Sequence, residues 1–293
     1  MTEMITTTAD QVKQELSAKR KTVVADQSVC CQRTLHEWSA PSDENAVWLT
    51  YAASYFMNTH GLKWAVDPMR LQSRLPEASA ITLGQEMQGL SFVLLTHNHA
   101  DHLDTGFWSL LADFDCHWIV PDHMLDLFLA VPKMSGCRYT VAVAEKEIVV
   151  PDARILPFAS WHSSHVPGSG FLTIPETGYR VQTDNGDFLF PGDIRIYDSS
   201  FLARFKGVST VFAHVFLGRT AALMSTPPLL NDFVAFYRAC QPQKILLTHL
   251  YELARDPSDC WRFEHAEVIK AIFASVAPEI EVVSPSWYER ILV

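Results

Sequence analysis

Hydrophobic and polar positions divide the chain into a polar opening and a body of short apolar runs. Residues 1 to about 42 are polar and helix-permissive, and Pro41-Ser42-Asp43-Glu44-Asn45 interrupts them just before AVWLTYAASYFM. This predicts an N-terminal extension over 1–42, packed on a main body over 43–293. AVWLTYAASYFMNTHGLKWAVDP reads as two strands joined by the turn cluster Asn58-Thr59-His60-Gly61. SFVLLTHNH reads as a strand ending in polar residues, and DTGFWSLLADF has helical spacing with Asp101 or Asp104 placed to cap it. HWIVP then DHMLDLFLAV repeats strand and helix, and YTVAVAE, EIVVPDARILPFASW, GYRVQT and DFLFPGD read as successive strands. STVFAHVFL, KILLTHL, EIEVVSP and WYERILV continue the strand pattern, with helices over PLLNDFVAFYRACQ and FEHAEVIKAIFASVA. Helices interspersed through two blocks of strands predict an α/β protein with two sheets face to face and helices outside. No internal repeat, low-complexity stretch or linker marks a further domain.

Composition narrows the function classes. The 293 residues are 48% hydrophobic and 19% charged, ordinary for a chain with a packed core. Lys plus Arg number 23 against 33 Asp plus Glu, a formal charge of -10 that argues against nucleic acid as the main partner. The N-terminus carries no apolar run behind its positive charges, and no stretch reaches the ~18 apolar residues that a membrane span needs. The expected location is the cytoplasm, with a small-molecule substrate. Six scattered cysteines without a CxxC pair suggest reduced thiols rather than disulfides or a thiolate metal site.

The informative segment is Thr96-His97-Asn98-His99-Ala100-Asp101-His102, at the end of an apolar strand. An extended backbone aims His97 and His99 to the same side, where one ion can take both imidazoles. As the chain turns toward the helix, Asp101 and His102 project differently and could serve a second ion. An ion wants about four donors, so others must come from elsewhere. Three more strand ends offer them: His162 or His165 after RILPFAS, Asp193 after DFLFPG, and His249 after KILLT. Arg195, Tyr197 and Tyr251, close to these positions, are candidate substrate contacts. Asp67, before Pro68, is expected to support ligands rather than to be one. His36, His60, His117, His123, His214 and His265 have no motif context, and His214 in VFAHVFLGR is left unassigned.

From the HxHxDH run followed in order by single His, Asp and His motifs, the chain over about 46–293 resembles the metallo-β-lactamase superfamily of metal-dependent hydrolases. ASWHSSH and FLFPGDIRIYD resemble the branch holding the L-ascorbate-6-phosphate lactonases and N-acyl-phosphatidylethanolamine phospholipase D. The resemblance implies a four-layer αββα sandwich. It implies that His97, His99 and His162 hold one ion, that Asp101, His102 and His249 hold a second, and that Asp193 bridges them. It selects His162 over His165, which becomes a candidate proton donor. One or two divalent ions are expected, with zinc first by affinity for nitrogen ligands and manganese or iron as alternatives.

The expected activity is attack by a metal-bound hydroxide on a small lactone, ester or phosphorylated substrate. Asp101 would orient the nucleophile and His165 would protonate the leaving group. A phosphodiesterase of the same fold and a non-hydrolytic metal-dependent sensor are the alternatives. A homo-oligomer is also implied by the resemblance, with the N-terminal 42 residues as a possible contact.

Overall fold

The computed structural model describes residues 8–81, 83–166 and 170–293, with the backbone alone for 163–166 and 170–172. The polar opening forms one long helix, α1 (Ala9–Ser39), which stops just before Pro41. Nine strands and two helices follow: β1 (Asn45–Tyr51), β2 (Ser54–Thr59), β3 (Leu62–Val66), β4 (Leu90–Leu94), α2 (Thr105–Leu111), β5 (His117–Pro121), α3 (Leu125–Ala130), β6 (Tyr139–Ala142), β7 (Ile148–Val150), β8 (Ala153–Ala159) and β9 (Ser163–Val166). The chain continues through β10 (Gly170–Thr173), β11 (Thr177–Thr183), β12 (Gly186–Phe190), α4 (Ser199–Ala203), β13 (Thr210–His214), α5 (Leu230–Arg238), β14 (Lys244–Thr248), α6 (Phe263–Val276), β15 (Glu281–Val283) and β16 (Arg290–Leu292).

The predicted α/β class with two sheets is the observed one. One seven-stranded sheet runs β16-β1-β2-β3-β4-β5-β6 and the other β15-β14-β13-β12-β11-β8-β7. In the first sheet β16, β1, β2 and β3 pair antiparallel, then β3, β4, β5 and β6 pair parallel. In the second, β7, β8 and β11 pair antiparallel, and β12, β13, β14 and β15 pair parallel. Parallel neighbours end on the same edge of a sheet, where open α/β sheets place their ligand sites.

Three local expectations are corrected. The segment read as two strands is three, because the chain reverses at Ala52-Ala53 as well as at His60-Gly61. Small apolar residues in that first turn carry no turn signal, whereas His60 (φ 52°) and Gly61 (φ 89°) are both left-handed, as a two-residue hairpin requires. EIVVPDARILPFASW is likewise two antiparallel strands, reversed at Pro151-Asp152 with Asp152 at φ 62°. The third is an added hairpin, β9 with β10, which pairs His165 with Phe171 where no strands were predicted.

The chain forms two compact units, Met1–Thr22, Ser160–Ile174 and Phe188–Pro285 in one, Val23–Ala159, Pro175–Asp187 and Ser286–Val293 in the other. The second unit packs an aromatic core in which Trp38 and Leu35 of α1 meet Trp48, Phe56, Phe107, Trp108, Trp118 and Phe128. The Trp38 indole donates to the Met57 carbonyl at 2.8 Å, and Asn58 donates back to the Trp38 carbonyl at 2.9 Å, so the helix end is fastened to β2 by polar as well as apolar contacts. Asp104, one of the two candidate caps, accepts from the Phe107 amide at the start of α2 and takes the Arg70 guanidinium through both oxygens.

In the first unit, His265 of α6 is buried with both ring nitrogens engaged: Nδ1 accepts from the Arg262 amide at 3.0 Å, and Nε2 faces the Ala222 carbonyl at 3.1 Å. That pattern needs the neutral ring. Burial, and next the Arg262 charge, push its pKa down to about 4. An unfolded histidine titrates near ~6.5, so between those values the unfolded chain binds the extra proton and folding loses stability as pH falls. The loss amounts to about 3 kcal/mol by pH 4. A His265→Gln variant has no such proton to take up, so its stability deficit in urea unfolding at pH 7 should shrink by that amount at pH 4. An equal deficit at both pH values would contradict this.

Candidate metal centre

In the Val23–Ala159, Pro175–Asp187 and Ser286–Val293 unit the histidine run lies just past the end of β4, held by a buried carboxylate. Asp67 accepts from the Thr96 amide at 2.8 Å, from the Thr96 hydroxyl, and from His102 Nδ1 at 2.8 Å. Its own amide donates to the Leu94 carbonyl at 2.9 Å, so one residue fastens the ends of β3 and β4 together. His97 Nδ1 lies 3.1 Å from the Glu176 carboxylate and 3.0 Å from the Thr96 hydroxyl. A carboxylate only accepts, so Asp67 fixes the proton of His102 on Nδ1, and Glu176 does the same for His97. The rings of His97 and His99 are 4.7 Å apart, and those of His97 and His102 are 4.2 Å apart. His97 and His102 are buried, His99 is half-buried, and Asp101 is buried in the same loop.

The first unit gathers a second set around Asp193. Gly192, at φ 86°, makes the tight turn that brings Asp193 out of β12. His214 Nδ1 is 2.8 Å and His249 Nε2 is 3.5 Å from Asp193 Oδ1. On the other oxygen, Arg195 Nη2 donates at 3.0 Å and His162 Nε2 lies 4.0 Å away. The parallel pairing of β13 with β14 puts His214 level with Thr248, so His214 and His249 leave the same sheet edge. His249 (φ 63°) and Tyr251 (φ 55°) hold left-handed backbone, a conformation that costs energy outside glycine and gathers at functional sites. His162 is pinned in turn: its carbonyl accepts from Ile174, and the Trp161 carbonyl accepts from Arg195.

Of the expected ligands, His97, His99, Asp101 and His102 thus lie in one unit, and His162, Asp193 and His249 in the other. His165 is described by its backbone alone, so its expected role falls outside the described side chains. Arg195, expected as a substrate contact, pairs with the Asp193 carboxylate and lies 3.9 Å over the Phe216 ring. The Tyr197 hydroxyl donates to the Phe216 carbonyl at 2.7 Å, and the Tyr251 hydroxyl donates to Glu15 of α1 at 2.6 Å. Burial first, then the hydrogen bond to Glu15 and the Glu15 charge, raise the Tyr251 pKa. Sequence reasoning passed over His214 and Glu176. His214 closes an apolar strand as the other candidates do, a signal that was available, whereas Glu176 follows Pro175 with no pattern around it.

Two ligand atoms on one ion, each ~2.1 Å away, are at most about 4.2 Å apart. The separations of Asp193 from His162, His214 and His249 all fall within that limit. The ligand atoms of Asp193, His214 and His249 lie within 4.8 Å of one another, as do those of His97 and His99. Buried imidazole and carboxylate donors at these distances fit a first-row divalent ion.

The family profile described as "Beta-lactamase superfamily domain" matches residues 64–250. The chain belongs to the metallo-β-lactamase superfamily, a family of metal-dependent hydrolases. Its α/β architecture is that of the superfamily's sandwich. Among solved structures it is similar to Igni18, a metallo hydrolase from the archaeon Ignicoccus hospitalis KIN4/I, with 15% identity over 85% of this chain and 98% of that one, at a TM-score of 0.59. The metallo-β-lactamase fold protein YhfI from Bacillus subtilis matches at 12% identity over 86% and 100%, at 0.60. CmlA, a diiron β-hydroxylase from Streptomyces venezuelae, matches at 14% identity over 86% of this chain and 54% of its own, at 0.59. Among curated proteins, none matches in sequence. No helix among the described residues is long and apolar enough to cross a membrane.

Because Asp67 holds both the strand end and His102, an Asp67→Ala variant should weaken metal binding by roughly 10–100-fold, the cost of losing a hydrogen-bond partner behind a ligand. Competition with a chromophoric chelator reads this directly; unchanged affinity would remove Asp67 from that role.

Proposed function

We propose that this chain hydrolyses a small lactone, ester or phosphorylated substrate with one or two divalent ions as cofactor. The observation that carries the reading is the buried Asp193 carboxylate ringed by imidazoles at the ends of parallel strands, in a chain of this superfamily. Following the superfamily pattern, His97, His99 and His162 are assigned to one ion and Asp101, His102 and His249 to the other, with Asp193 shared. Zinc is the first choice for these nitrogen donors. The resemblance of ASWHSSH and FLFPGDIRIYD to the lactonase and phospholipase D branch supports the substrate class. The six free cysteines suit a reducing compartment, the cytoplasm.

When bound, the ions would supply Lewis acidity toward a water molecule and toward the substrate oxygen that gains charge. The chain's own groups supply position and protons. Glu176 and Asp67 hold the Nδ1 protons of His97 and His102, which leaves Nε2 as the donor atom of each. Asp193 offsets the positive charge that gathers at the site, and Arg195 fixes its Oδ2. Asp101 is assigned as proton acceptor and His165 as proton donor to the leaving group.

Protein purified without chelator should contain one or two equivalents of metal by elemental mass spectrometry. It should turn over members of a panel of lactones, aryl esters and phosphodiesters. Stripping the metal should abolish turnover, and His97→Ala and Asp193→Ala should each lose metal and at least about 100-fold in kcat/KM. Full activity after complete metal removal would sink the assignment. Phosphodiester turnover alone would move the reading to a phosphodiesterase, and metal binding without turnover of any member would move it to a sensor.

A further inference from the structure

The motif order gives the second ion three protein ligands of its own, yet the fold delivers another imidazole to the same carboxylate. We infer that His214 is a direct metal ligand through Nδ1, joining Asp193 Oδ1 and His249 Nε2 on one ion. The inference rests on the metal-dependent reading above and adds to its ligand set.

Four observations carry it. His214 Nδ1 and His249 Nε2 both converge on Oδ1 of Asp193, at 2.8 and 3.5 Å, each within the distance limit for sharing an ion with that oxygen, and the three residues bring ligand atoms within 4.8 Å of one another. Their rings are 5.3 Å apart and tilted by 31°, at the neighbouring ends of β13 and β14. The carboxylate is also oriented without His214, because Arg195 holds Oδ2 at 3.0 Å in a charge-assisted bond. His214 lies on a strand that is buried throughout, between Ala213 and Val215, where an imidazole is costly unless its nitrogens are used. A further nitrogen donor beside Asp193 would also bias the site toward zinc, cobalt or iron and away from magnesium, which prefers oxygen.

The competing role is a hydrogen bond from Nδ1 that merely positions Asp193. The two roles exclude each other at that atom, since a ligand nitrogen offers its lone pair and a donor nitrogen carries a proton. Wild type, His214→Ala and His214→Asn are therefore compared as apo-proteins titrated with cobalt(II). Metal equivalents, the visible d–d absorption and the nitrogen count from X-ray absorption are read, with circular dichroism to check folding. Asn keeps an N–H that can face Asp193 but provides no imidazole.

Both variants should lose affinity for one equivalent by more than the roughly 10–100-fold expected from a lost supporting hydrogen bond. Both should also show an altered d–d spectrum and one nitrogen fewer at the affected ion. Wild-type affinity, spectrum and nitrogen count in His214→Asn would overturn the inference in favour of positioning, and the same result in His214→Ala would exclude either role. Wild-type protein that takes up no cobalt would overturn the metal-dependent reading itself, and this inference with it.

Discussion

A buried carboxylate must find donors or a cation, and in this protein that requirement organises the ends of the strands. Asp67 sits with left-handed backbone (φ 42°) between β3 and Pro68, and its side chain and amide together engage Leu94, Thr96 and His102. Those bonds tie the polar segment after β4 to the end of β3, while Glu176 holds His97 from another side. The geometry of His97 and His102 thus goes together with satisfying two buried carboxylates. Asp193 does the same in the other unit, collecting His214, His249 and Arg195.

Sheet architecture makes this possible. Each sheet is antiparallel at one end and parallel at the other, and His162 apart, which follows antiparallel β8, the candidate ligands follow the carboxyl ends of parallel strands: β4 before His97, β12 before Asp193, β13 at His214 and β14 before His249. Parallel strands in register deliver successive residues to one edge, so apolar runs as ordinary as TVFAH and KILLT become precise supports for a polar residue at the tip. The runs are buried along their length, which holds the tips rigid.

The arrangement that follows is one of imidazoles backed by carboxylates. Glu176 and Asp67 set tautomers, while Arg195 balances Asp193. Such backing tunes a metal's affinity and its hold on substrate without touching substrate, so specificity has to come from other side chains. The two tyrosines considered for that part, Tyr197 and Tyr251, direct their hydroxyls to a backbone carbonyl and to Glu15 of α1.

Sequence alone determined the class of the fold and nominated most of the candidate donors. Period-two and continuous apolar runs mark strands locally, and a cluster such as His97, His99, Asp101 and His102 is too dense to be accidental. Local signals also placed the turn at His60-Gly61 and offered Asp104 as the cap of α2. Tertiary structure decided what no local signal carries. The turn at Ala52-Ala53 uses residues without turn chemistry, and β16 reaches β1 from the far end of the chain through a register that only packing sets. Glu176 meets His97, and His214 meets Asp193, because strand order places them there. A lone histidine or glutamate reads the same in sequence whether it faces solvent or a carboxylate, and only the pairing of strands fixes which.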